Sequence, residues 1–160
     1  MIVIKPPSPI DLPAAAASVF LAGSIDMGAA VDWQADLTAR LADLRGVILN
    51  PRRDDWDPTW RQSIEDERFR GQVEWELSGL DRVGLIAMWF APGTLAPVTM
   101  LELGLYAHTG KVIVGCPEGF WRRGNVEIVC QRSGVPMLES FEDFVAAVKA
   151  SALGFARLDS

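Results

Sequence analysis

Val83-Gly-Leu-Ile-Ala-Met-Trp-Phe-Ala-Pro-Gly-Thr-Leu-Ala-Pro-Val-Thr-Met-Leu-Glu-Leu-Gly, residues 83–104, holds the repeating unit of the fold in one stretch. Val83–Phe90 is the longest apolar run in the chain. Such a run reads as a central strand covered on both faces. Ala91–Ala96, with Pro92 and Gly93, reads as a loop. Pro97 then opens a helix, because a first helical position loses nothing by lacking an N–H. Val98, Leu101 and Leu105 are expected to form its core face, and Gly110 to end it. Lys111–Gly115 follows as the next strand.

Outward from this unit the same alternation repeats. Upstream, a helix is expected from about Ser63 to Leu80, with Phe69, Val73, Leu77 and Leu80 as its buried stripe. Before it come a strand at Val47–Leu49 and a helix over about Val31–Leu44, with Val31, Leu37, Leu41 and Leu44 on one face. Ser18–Ala22 reads as a buried strand that stops at the Gly23-Ser24 turn. Residues 1–17 form a lead-in, a short strand followed by a segment in which Pro6, Pro7, Pro9 and Pro13 forbid a helix. Downstream, Asn125 is expected to cap a helix bearing Val126, Ile128 and Val129. Val135–Leu138 reads as a short strand, Phe141, Phe144, Val145 and Val148 mark the last helix, and residues 153–160 form a tail. Strict β-α alternation predicts a single α/β domain over residues 1–160. The expected architecture is a flavodoxin-like doubly wound, mostly five-stranded parallel sheet with helices on both faces.

Composition narrows the class of function. With 49% apolar and 22% charged residues, the 160-residue chain has the makings of a folded core. A net charge of −6 argues against a nucleic-acid or membrane-surface binder. One histidine and two cysteines, Cys116 and Cys130, provide neither a zinc pattern nor a disulfide framework, so no metal is expected. Both cysteines are expected in the core. The Met1-Ile-Val-Ile-Lys-Pro-Pro start has no signal-peptide character, and no apolar run reaches membrane-span length. The cytoplasm is the expected compartment.

Ligands of doubly wound sheets bind beyond the carboxyl ends of the strands, at the switch point. That rule nominates three loops. In the first, Gly23 would let a backbone approach a sugar or phosphate, beside Ser24; an ordinary strand-ending turn is the alternative. In the second, Asn50-Pro-Arg-Arg offers Arg52 and Arg53 to an anion. Ion pairing with Asp54, Asp55 or Asp57 is the other reading. Trp56 and Trp60 would stack on a base or merely pin the loop. In the third, Pro97 leads into the helix of Glu102, which is framed by apolar neighbours and set early enough for the helix dipole to keep it ionised. A solvated helix glutamate is the alternative. An ionised, positioned carboxylate is what covalent glycosyl transfer needs. Glu74, Glu76 and Asp81, on the preceding helix, are candidates to hydrogen-bond a base. His108 is expected on the core face with Leu101 and Leu105.

Taken in order, Val19-Phe-Leu-Ala-Gly-Ser-Ile, Asn50-Pro-Arg-Arg, Gln72-Val-Glu-Trp-Glu, Leu85–Phe90, Pro97-Val-Thr-Met-Leu-Glu-Leu-Gly and Gly124-Asn-Val-Glu-Ile resemble the nucleoside 2-deoxyribosyltransferase-like proteins, over roughly residues 18–150. The resemblance implies that Glu102 attacks the anomeric carbon, the base departs, and another base or water takes the glycosyl group. It implies no metal or redox cofactor. It also implies at least a homodimer, in which a late asparagine, here Asn125, completes the partner's site. Gly23 and Ser24 match the glycine turn that lines the sugar pocket. Two departures stand out. The first strand has Val19-Phe20 where transferases often carry a tyrosine that bonds the nucleophile, and Thr94-Leu-Ala-Pro has no acid for the sugar hydroxyl. The resemblance thus implies an enzyme of nucleoside or nucleotide N-glycosidic bonds, with exchange or hydrolysis open. A nucleotide-binding or sensing module without turnover is the alternative of another class, and glycohydrolysis of NAD is a third.

Overall fold

The computed structural model describes residues 1–14, 16–25 and 32–157. The strands are β1 (Ile2–Ile4), β2 (Ala17–Gly23), β3 (Gly46–Leu49), β4 (Leu85–Trp89), β5 (Val112–Gly115) and β6 (Met137–Leu138). The helices are α1 (Trp33–Arg40), α2 (Glu67–Arg82), α3 (Pro97–Tyr106), α4 (Arg123–Ser133) and α5 (Phe141–Arg157). A 3-10 turn, Ala107–Thr109, prolongs α3.

All strand pairs are parallel, in the order β1-β3-β2-β4-β5-β6. The five strands β2 to β6 make the doubly wound order that the alternation predicts. The sheet has six strands rather than five, because β1 pairs with β3 through Ile2↔Val47 and Ile4↔Leu49. A three-residue strand with Ile2 and Val3 exposed carries almost no burial signal, so its pairing is invisible to periodicity.

Successive side chains of β2 alternate between two cores, as the pleat requires. Phe20 and Ala22 join Leu80, Leu103, Tyr106, Val126 and Cys130 beneath α2, α3 and α4. Val19 and Leu21 join Trp33, Leu37, Phe144 and Val148 beneath α1 and α5. Cys116 and Cys130 are both buried thiols, as expected.

Several helical faces differ from expectation. In α3, Val98, Leu101 and Leu105 are exposed, at 58%, 64% and 47%, and His108 is exposed with them. Thr99, Glu102, Leu103 and Tyr106 face inward instead. This helix is apolar nearly all round, so its pattern marks no side, and packing between α2 and α4 makes the choice. In α2, Gln72, Gly79 and Leu80 are buried, Phe69 and Val73 are half-buried, and Leu77 is exposed. That helix begins at Glu67 rather than Ser63, because the Asp66 carboxylate accepts from the Arg68 and Phe69 amides and caps it. Asn125 lies inside the first turn of α4 and does not cap it. The capping position is Arg122, which makes no side-chain cap. Ile128 of that helix is exposed too. α1 spans only Trp33–Arg40; Leu37 and Leu41 are buried, whereas Val31 lies outside the described residues. α5 runs on to Arg157, so the expected tail from residue 153 is largely helical, and 158–160 lie outside the described residues.

Candidate active site

The chain turns one way from β2 to β3 and the other from β3 to β4, so the switch point lies between β2 and β4. Gly23 and Ser24 end β2 there. A Cβ on Gly23 would strike the Trp89 carbonyl oxygen and come within 2.6 Å of the Trp33 ring. Glycine is therefore needed for strand packing, whatever lies above it. The Ser24 hydroxyl bonds Thr94 Oγ1 at 2.7 Å and accepts from the Ala91 amide at 3.1 Å. Thr94 Oγ1 in turn donates to the Ala91 carbonyl at 2.8 Å. The two hydroxyls clip β2 to the 91–96 loop, and both are spent on protein. Thr94 was not among the sequence candidates; a buried threonine beside a turn gives no local signal of its partner.

Pro97 opens α3 as expected, behind Ala96 in the left-handed region at φ +44°. Glu102, in the second turn of this helix, is 8% exposed. Burial and the nearby charge of Glu76, in that order, push its carboxyl up to about 8. The expectation that the dipole keeps it ionised is overturned. The dipole acts within the first turn, and dehydration of the charged form outweighs it.

Glu76, on α2, is also raised by burial, an effect partly offset by a hydrogen bond from Gln72. Gln72 Nε2 donates to Glu76 Oε1 at 2.7 Å and to the Pro51 carbonyl at 3.0 Å. Its Oε1 is buried with no partner. Gln72 ties the 50–62 loop to the acidic pair and was missed by pattern reasoning. A glutamine four residues before Glu76 on the buried side of a helix was its one legible sign.

The other candidates are used elsewhere. Asn50 is buried, and its Oδ1 accepts from the Arg52 amide at 3.0 Å, closing the loop turn. Arg52 pairs with Asp32 at 3.3 Å, and Asp32 caps α1. Arg53 forms a fork with Asp55, at 2.8 and 2.9 Å, and lies 4.9 Å from the Trp60 ring. Trp56 and Trp60 contact each other, with centroids 5.1 Å apart. The loop is thus pinned by its own charges and rings. Asp81 sits one residue before the end of α2, at the amino edge of the sheet, where it accepts from the Tyr106 hydroxyl at 2.7 Å. It is not brought to the switch point. Burial first, then Asp81, pushes the Tyr106 phenol up to about 12. Glu74 is exposed and pairs with Arg70. Asn125 is exposed near the start of α4.

A family model described as nucleoside 2-deoxyribosyltransferase like matches residues 16–120. The chain belongs to that family. The match takes in Gly23, the Asn50-Pro-Arg-Arg loop, Glu76 and Glu102, and stops short of Asn125. It is therefore shorter at the C-terminal end than the expected 18–150. No curated protein matches the chain. Among solved structures, a conserved protein from Enterococcus faecalis V583 superimposes with a TM-score of 0.62. Identity is 12%, over 85% of this chain and 99% of the other. At that identity the likeness shows the fold alone.

Proposed function

We propose that the chain cleaves the N-glycosidic bond of a nucleoside and passes the (2-deoxy)ribosyl group to another base or to water through a glycosyl ester on Glu102. The carrying observation is the buried Glu102 carboxyl of α3, acted on by the charge of the half-buried Glu76 of α2, in a family member. Two carboxyls that hold one proton between them have the two functions the reaction needs, a nucleophile and an acid. Gln72 donates to Glu76 and favours its charged form, so the resting proton sits on Glu102. In the reaction that proton moves to Glu76. The Glu102 carboxylate forms a bond to C1′, and the C1′–N bond breaks with its electron pair on the base. Glu76 returns the proton to the base. Water or a second base then attacks C1′, the C1′–O bond to Glu102 breaks with its electron pair on the carboxylate, and the nucleophile's proton returns to the acidic pair.

Arg52 and Arg53 are both held in ion pairs, which favours nucleosides over 5′-phosphates. The same economy supports a second reading, a binding or sensing module. Phe20 has no phenol, and the Ser24 hydroxyl is already satisfied within the protein. Incubation with nucleosides, nucleotides and NAD, followed by chromatography of free base, separates the readings. The expected result is release from nucleosides, a rate that falls as pH rises through about 8, where the pair loses the proton that the departing base needs, and loss of at least ~1,000-fold in Glu102→Ala. A slow 2-fluoro sugar should add one glycosyl mass to the Glu102 peptide. Binding without release of any base would establish the module, and full activity in Glu102→Ala would move the nucleophile.

A further inference from the structure

A cavity of about 400 Å3 lies outside the acidic pair, between the lead-in, the 50–62 loop and the N-terminal half of α2. Its walls include Pro6, Pro7, Trp60 and Trp75, and Gly71 lies among them on α2. Gln72 and Glu76 occupy a neighbouring face of that helix. The volume is within the range of small-molecule sites, and flat aromatic and prolyl walls suit a flat guest.

Gly71 carries the argument furthest. It stands inside a 16-residue helix, where glycine weakens the helix relative to alanine. A Cβ there would meet nothing within 4 Å, so no contact within the fold calls for it. Gly79 of the same helix is different, since its Cβ would press on Phe20 at 2.9 Å. Gly104, Gly124 and Gly154 of other helices also meet nothing, so what sets Gly71 apart is its place in the cavity wall.

The charges lining the cavity balance. Arg53 and Arg68 stand over Trp60, at 4.9 and 5.4 Å from its ring, against the carboxylates of Asp55 and Glu67. Arg53 is tied by its fork to Asp55, whereas Arg68 touches Asp66 only at 3.4 Å. A wall of this kind has no net attraction for an anion. It offers carboxylate acceptors to ring N–H or amino groups, and the Arg68 donors to a ring carbonyl. We infer that this cavity is a second binding site, for an uncharged flat heteroaromatic ligand of free-nucleobase size. It stands independently of the glycosyl-transfer reading.

Calorimetric titration of the full chain with adenine, uracil, adenosine and AMP tests it, repeated on Gly71→Leu, Trp60→Ala and Glu102→Gln. Saturable binding of a base is expected, at least tenfold weaker in Gly71→Leu and in Trp60→Ala, and within twofold of wild type in Glu102→Gln. AMP should bind at least tenfold more weakly than adenine. The open space at Gly71 and the loss of a helix-weakening glycine predict an unchanged or higher melting temperature for Gly71→Leu, and Trp60→Ala reports on the site should that variant misfold. Absence of saturable binding by either base overturns the inference. So does binding that falls with Glu102→Gln and survives Gly71→Leu, which would place the ligand at the acidic pair and leave the glycosyl-transfer reading standing.

Discussion

Glu102 is retained at a cost to stability. Its carboxyl is raised from 4.5 to about 8 in the folded chain, so between those values the native state holds a proton that the unfolded state has released. Stability therefore is greatest below about 4.5 and falls as pH rises through about 8, by up to the order of 5 kcal/mol from this group alone. Glu102→Gln removes the titration without changing the shape. It should stabilise the protein at pH 9 and flatten the decline between pH 5 and 9, as read by urea unfolding. A variant whose stability tracks the wild type at every pH would show that the carboxyl is hydrated rather than buried. A buried, strongly shifted carboxyl beside another is a recurrent mark of a functional site.

At the scale of elements, the candidate site depends on how β2, β4 and the 91–96 loop are held together. The Ser24–Thr94–Ala91 clip and the close fit of Gly23 against Trp89 and Trp33 do this. Thr94→Val keeps the volume and deletes the shared hydroxyl. It should cost about 1–3 kcal/mol in thermal or urea unfolding, because the Ser24 hydroxyl loses its acceptor in a buried position. Ser24→Ala together with Thr94→Val should cost less than the sum of the single changes, since both act on one clip. Additive costs would mean that the two hydroxyls act independently.

At the scale of the molecule, α3 turns Val98, Leu101 and Leu105 outward, and α4 adds Ile128. Such exposed apolar side chains are what a docking partner would cover. The resemblance names the partner as a second copy of the chain, whose docking would cover α3 directly behind Glu102. Leu101→Glu should then convert a dimer into a monomer in analytical ultracentrifugation, at least at micromolar concentration, and lower base release. The melting temperature should also lose its dependence on protein concentration. A monomeric wild type would remove the second copy from the site.

The sequence alone determined the βα alternation and the doubly wound class, because those rest on local apolar runs and on Pro and Gly punctuation. Ser18–Ala22, Val47–Leu49 and Val83–Phe90 were each legible as strands within a residue or two. The tertiary structure decided which side of each helix is buried. In α3 the pattern pointed to Val98, Leu101 and Leu105, and packing chose Thr99, Glu102, Leu103 and Tyr106. It also decided the partners of Arg52, Ser24 and Gln72, the edge pairing of β1, and the removal of Asp81 from the candidate site. Each of these depends on contacts between residues distant in the chain. The proton affinity of Glu102 is the sharpest case: its position near a helix start predicts a carboxylate, and burial first, then the charge of Glu76, reverses that.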